Sequence, residues 1–159
     1  MNKSWQDFLI RDWQEGDRLS SAAVVQQVLE EFDVPWEPER ADKEVFDIET
    51  YYWQTNGEFW VIEEAGEIVG TAAYHPISRG NKAVEIRKVY LLAPARGKGL
   101  GKYLMAQLEE VISAKGYQQV WVETITRFQA AKHIYESTGY RAATDVETER
   151  CDLVFVKDL

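Results

Sequence analysis

The segment ARGKGLG at residues 95–101 constrains this chain more than any other stretch. It follows a β-rich run, AVEIRKVYLL, and opens a helix whose apolar residues Leu100, Leu104, Leu108, Val111 and Ile112 recur at helical spacing. Glycines at the alternate positions Gly97, Gly99 and Gly101 remove side chains where the backbone must come close to something. They also let successive N–H groups point into one concavity. The unpaired N–H groups and the dipole of the helix N-terminus add to an anion site there, and Arg96, Lys98 and Lys102 bring positive charge beside it. An ordinary strand-to-helix turn needs one glycine for flexibility. Three glycines among three bases fit an anion-holding turn better.

Spacing narrows the choice of anion. In a Walker A loop Gly-Lys is followed by Ser or Thr, whose hydroxyl meets magnesium, whereas Gly101-Lys102 is followed by Tyr103. A dinucleotide fingerprint requires G-x-G-x-x-G opening a βαβ unit; this chain has G-x-G-x-G after antiparallel strand patterns. Both nucleotide readings are weak.

With 159 residues, 45% hydrophobic and 28% charged, the chain has the size and make-up of one packed domain spanning 1–159. The element pattern is β-α-α-β-β-β-α-β-α-β-β. A strand at 7–13 is followed by a helix after Gly16, with Asp17 or Ser20 as its cap and Leu19, Ala22, Ala23, Val25, Val28, Leu29 and Phe32 as its apolar face. The Pro-containing segment 33–42 is a loop and about 43–53 a second helix. FWVIEE, EIVGTAAYHPI and AVEIRKVYLL form an antiparallel meander. The helix after the glycine turn ends near Gly116; a strand (QQVWVET), a helix at about 128–137, and strands near 140–146 and 150–157 complete the chain. This order predicts an α/β fold, a mixed and mostly antiparallel central sheet with helices on both faces.

A formal charge of −9 argues against a nucleic-acid backbone as ligand, and it suits a cationic substrate or simply solubility. No run of signal-peptide or membrane-spanning type occurs, so a cytoplasmic location away from membranes is expected. His75, before Pro76, reads as a turn residue and His133 as lying on an exposed helix face. Neither shares a metal-ligand spacing with the lone Cys151, and no metal is expected. Without a G-x-S-x-G elbow or a base beside Cys151, there is no case for a covalent acyl-enzyme.

Two motifs carry a family resemblance. Arg96, Gly99 and Gly101 match Arg/Gln-x-x-Gly-x-Gly/Ala, and Ala131, Tyr135, Gly139 and Tyr140 match a helix carrying Ala and Tyr ahead of Gly-Phe/Tyr. About thirty residues apart, within a matching element order, they make the sequence resemble the GNAT superfamily of acyl-CoA-dependent N-acyltransferases.

The resemblance implies acetyl-CoA as cosubstrate, with its pantetheine arm added as a strand against Val89, Tyr90 and Leu91. It places the pyrophosphate on the N–H groups of Arg96, Gly97, Lys98, Gly99, Leu100, Gly101 and Lys102. The interrupted alternation at Arg87 and Lys88 is compatible with the bulge such strands carry, or with a one-sidedly exposed strand. The implied reaction is direct attack of a neutral primary amine, on a small molecule or peptide, upon the acetyl thioester. Glu85 stands where part of the family keeps its general base, although a strand carboxylate can equally be an ion-pair partner. Tyr135 stands where the family protonates the departing thiolate, or it packs in the core with Phe128, Ala131 and Ile134. Phe128 replaces a polar Asn common in the family, with Gln129 next to it as a substitute. That departure leaves a non-catalytic CoA-binding regulatory module as the alternative function. Trp36, Tyr51, Tyr52 and Trp53, with Glu37, Glu39 and Asp47, could form an aromatic, acidic mouth for an amine, or pack ordinarily. The last strands could join two copies into a homodimer.

Overall fold

Four consecutive large apolar residues, Phe59-Trp60-Val61-Ile62, suit a strand covered on both faces, and all four are buried. In the computed structural model, which describes residues 1–159, they form the centre of the third of eight strands. In chain order the elements are β1 (Asn2–Trp5), β2 (Phe8–Asp12), α1 (Arg18–Glu31), α2 (Ile48–Tyr51), β3 (Glu58–Glu64), β4 (Glu67–Ile77), β5 (Ala83–Leu91), α3 (Leu100–Ala114), β6 (Gln119–Thr124), α4 (Gln129–Ser137), β7 (Arg141–Ala142) and β8 (Leu153–Asp158). The strand order is β1-β2-β3-β4-β5-β6-β8-β7, a mixed and mostly antiparallel sheet as the sequence predicts. No helix is long and apolar enough to cross a membrane.

Packing divides the chain into two units: Met1–His75 with Lys88–Lys98, and Pro76–Arg87 with Gly99–Leu159. In the first, β1 and β2 form a hairpin that the sequence reading misses, because NKSW shows no apolar alternation and its residues remain largely exposed. β2 pairs with β3 and β3 with β4, both antiparallel. Trp13, Ile48, Tyr52, Phe59, Val61 and Ala73 pack into one apolar cluster, with Tyr52 edge-on to Phe59 at 5.2 Å between centroids. His75 lies within β4 and not in a turn, its ring edge-on to Tyr52 at 6.0 Å.

α1 departs from the predicted face in an informative way. Leu19 is exposed, and the buried stripe is Ser21, Ala22, Val24, Val25, Val28 and Leu29. Ser21 is tolerated inside because its hydroxyl accepts from Trp13 Nε1 at 3.1 Å and donates to the Asp17 carbonyl at 2.9 Å. Asp17 occupies the cap position, yet its carboxylate accepts from Gln14 N and from both terminal nitrogens of Arg11 instead of capping α1. The arginine holds that carboxyl below its usual range. The predicted helix at 43–53 breaks into 3₁₀ turns on either side of the four-residue α2, since Asp47 caps α2 through Thr50 N at 3.2 Å and restarts the chain there.

In the second unit, residues 83–86 of β5 run parallel to β6, which pairs antiparallel with β8. α3 buries Leu100, Leu104, Met105, Leu108 and Ile112 and ends at Gly116, whose φ of 89° continues the chain without Cβ strain. Opposed residues share a face: Glu85, Trp121 and Val156 on one, Ile86, Val122 and Phe155 on the other. The strand expected near 140–146 shrinks to Arg141–Ala142 because the chain after it is held by side chains, as described below.

Candidate active site

β5 alternates cleanly, Val84 and Ile86 inward, until Lys88, where φ turns positive at 53°. The parallel ladder with β6 ends at Ile86, while β5 continues to Leu91. The kink is pinned twice. Thr71 donates its hydroxyl to the Lys88 carbonyl at 2.7 Å, and the Lys88 ammonium lies 3.1 Å from Asp42 and 3.2 Å from Glu44. These three charged side chains are 4%, 0% and 10% exposed, and Asp42 also accepts from Glu37 N at 3.0 Å. Val89, Tyr90 and Leu91 follow, half-buried.

Arg96, expected to bring charge to the turn, has its guanidinium already engaged by protein groups. Its guanidinium donates to Glu31 at 2.5 and 3.1 Å and to the Leu91 carbonyl at 2.9 Å, and stacks over Phe32. Its own N–H donates to the Ala93 carbonyl at 3.1 Å. Arg96 therefore acts as a brace that fixes the end of β5 to the turn. Lys98, 3.7 Å from Glu64, keeps a half-exposed ammonium, and its carbonyl accepts from Gln6.

Gly97 and Gly99 have φ of 77° and 87°, a region only glycine enters without penalty. A Cβ built on Gly97 meets nothing within 4 Å, so the turn is open over that residue. Gly99 is the N-cap of α3, and the first helical bond runs from Tyr103 N to Gly99 O at 3.1 Å. The N–H groups of Leu100, Gly101 and Lys102 precede that bond and belong to the set a helix start leaves without helical acceptors.

Glu85 lies on the Trp121 face, 3.7 Å from Arg87. Two residues along β6 stands Glu123, its side chain 4% exposed. It accepts from Glu147 N at 2.6 Å, Thr148 N at 2.7 Å and Arg79 at 3.2 Å. Arg79 stacks 4.1 Å over Trp121 and donates to the Thr144 and Asp145 carbonyls. This pair clamps residues 144–148, and nothing in the isolated sequence marked it except that Glu123 shares the strand parity of Trp121. The Cys151 thiol, pushed up to about 11 by burial and then by the Glu123 charge, stays protonated near neutral pH and is a poor nucleophile.

Burial opposes ionisation of Glu123, but the Thr148 hydroxyl, the two N–H groups and Arg79 outweigh it, holding the carboxyl below its ordinary value. A depressed folded-state value contributes stability above the unfolded value of about 4.3, and this is lost as pH falls through the folded value. Glu123→Gln is thus expected to be about 1–3 kcal/mol less stable than wild type at pH 7. In urea melts across pH the gap should narrow below about pH 4.3; a constant gap would refute this account.

Tyr135 sits on the opposite face of the β5-β6-β8 trio from Glu85, packed at 5.7 Å on Phe155 and 5.6 Å on Tyr140. The buried Tyr140 hydroxyl donates to Glu109 at 2.9 Å, and Lys157 neutralises Glu109 at 2.8 Å. Gln129, the proposed substitute at the Phe128 position, donates its amide to the Thr126 carbonyl. Of the supposed acidic mouth, Asp47 caps α2 and Glu37 lies 3.9 Å from Arg40.

The fold is that of acetyltransferases. A GNAT acetyltransferase from Staphylococcus aureus Mu50 superposes with a TM-score of 0.86 over 95% of this chain and 98% of its own, at 17% identity. The Thermoplasma acidophilum PaiA N-acetyltransferase, solved with coenzyme A, superposes with a TM-score of 0.74 over 96% and 99%, at 16% identity. In sequence, residues 25–140 match the model of the acetyltransferase (GNAT) family, and the chain belongs to that family. It is accordingly an N-acetyltransferase, and acetyl-CoA is the family's acetyl donor. Among its relatives, the uncharacterized N-acetyltransferase YjgM of Escherichia coli K12 is 29% identical over 127 residues, 78% of this chain and 76% of that protein. The N-acetylaspartate synthetase of Danio rerio is 34% identical over 102 residues; the match spans 64% of this chain and only 36% of that longer protein.

Proposed function

We propose that residues 1–159 form a single N-acetyltransferase domain that moves the acetyl group of acetyl-CoA directly to a primary amine of a small molecule or peptide. The observation that carries this reading is the left-handed pair Gly97 and Gly99 at the open N-terminus of α3. The N–H groups from Gly97 to Lys102 are suited to the pyrophosphate, with Lys98 and Lys102 adding charge and Arg96 holding the turn in shape. Past the Lys88 kink, the backbone of Val89, Tyr90 and Leu91 serves the pantetheine arm.

Glu85 accepts a proton from the acceptor ammonium, freeing the nitrogen lone pair. The new bond joins that nitrogen to the carbonyl carbon and the carbon–sulfur bond breaks; Tyr135, from the sheet face opposite Glu85, gives its phenolic proton to the departing thiolate, the proton remaining on the nitrogen restores the phenol, and Glu85 releases its own to water. The protonated Cys151 fits a direct transfer without an acyl-enzyme.

Calorimetric titration with acetyl-CoA, beside CoA, ATP and NAD, tests the reading. Saturable one-site binding of the CoA compounds alone is expected, followed by CoA release on adding an amine. A folded protein that ignores acetyl-CoA would overturn it; binding without turnover of any amine would leave the regulatory module instead.

A further inference from the structure

Resting on the reading that Val89, Tyr90 and Leu91 receive the pantetheine arm, we propose that Thr71 is a positioning residue for acetyl-CoA, its hydroxyl setting the backbone that the donor must meet. Thr71 stands on β4, fully buried, and donates its hydroxyl to the Lys88 carbonyl at 2.7 Å. Lys88 has a φ of 53°, a region that a residue with a Cβ enters only under strain, so its neighbours must hold it there. Asp42 and Glu44 grip the ammonium at the far end of the side chain, which does not dictate how the following peptide faces. The hydroxyl grips that peptide itself. A trans peptide is planar, its C=O and N–H pointing opposite ways, and this chain has no cis bond. With the Lys88 carbonyl aimed at Thr71, the Val89 N–H points away from it.

The adjoining residues of β4 continue the template. A Cβ built on Gly70 would come within 2.6 Å of Leu91 Cδ2 and 3.0 Å of the Tyr90 carbonyl oxygen, so β5 passes closer there than a side chain comfortably allows. The Val69 carbonyl accepts from Leu92 N at 2.9 Å. Val69, Gly70 and Thr71 thus meet the stretch 88–92 in succession. Thr71 does so through its side chain, and can be altered without touching the donor's own contacts. Deprived of the hydroxyl, the Lys88 carbonyl loses its bond in a buried setting, and the peptide turns toward another partner. Acetyl-CoA must then restore the kink as it binds, which weakens its apparent affinity.

Calorimetry with acetyl-CoA and CoA, on variants that melt cooperatively in urea, tests the proposal. Thr71→Val is expected to raise both dissociation constants about 5- to 30-fold, and Thr71→Ser, which keeps the hydroxyl, to stay within about twofold of wild type. Ser21→Ala is the control for plain stability. It too deletes a buried hydroxyl bonded to a carbonyl, that of Asp17 at 2.9 Å, but one that serves α1, and its dissociation constants should not move. Unchanged binding in folded Thr71→Val would overturn the proposal, and so would an equal loss in Ser21→Ala. Should Thr71→Val not fold, Gly70→Ala carries the test: its methyl displaces the Tyr90 carbonyl, affinity is expected to fall about 5-fold or more, and unchanged affinity is the overturning result. A folded wild-type protein that binds no acetyl-CoA would overturn the donor reading itself, and this proposal with it.

Discussion

Replacing Lys88 with methionine is expected to lower stability by about 3–5 kcal/mol, read as a fall in the urea midpoint at unchanged slope. Methionine matches the length of most of the lysine stem, so lost packing is minor. The ammonium, however, is the shared partner of Asp42 and Glu44, whose side chains, 0% and 10% exposed, have little surface through which to exchange protein contacts for water. Two like charges then face each other in the interior, and protonating one is the cheapest escape. Adding Asp42→Asn and Glu44→Gln to Lys88→Met should recover part of the loss, because the destabilisation comes from orphaned charges more than from the missing lysine. A change under about 1 kcal/mol for Lys88→Met alone would mean that water reaches the carboxylates, contrary to their burial.

Tyr135→Phe is expected to reduce kcat about 10²- to 10³-fold with little change in the KM for acetyl-CoA. The ring keeps its contacts with Tyr140 and Phe155, so the thermal midpoint should hold. What disappears, on the proposed mechanism, is the proton donor for the thiolate. An unchanged kcat would assign protonation to water and return Tyr135 to a packing role.

Much of the architecture was readable from residue pattern. The meander from Glu58 to Leu91 and the helix from Leu100 were legible because apolar period, turn residues and glycine positions all agreed there. The N-terminal half was less so. NKSW pairs through backbone alone, and the segment from Lys43 to Thr55 is shaped by the Asp47 cap and by burial of Ile48 and Tyr52, neither visible as a period. At the candidate site, the glycine turn came from residue pattern, and the positions of Glu85 and Tyr135 from the family resemblance. Side-chain commitment was not legible: the Arg96 guanidinium, expected as charge beside the turn, is engaged by Glu31 and the Leu91 carbonyl. One clue was available, since Lys88 falls on the inward parity of Val84 and Ile86, and a lysine there demands buried carboxylates. Which carboxylates those are depends on contacts between residues 46 and 44 positions apart in the chain.

That distant pairing has a consequence for anyone redesigning the enzyme. The loop around residues 37–44 is tied by Asp42 and Glu44 to the kink of β5, so it cannot be exchanged as an independent cassette. A graft from another family member that lacks both acids would import a new loop and release the strand beneath it. Transplants should therefore carry the lysine and its two acids as one inherited unit.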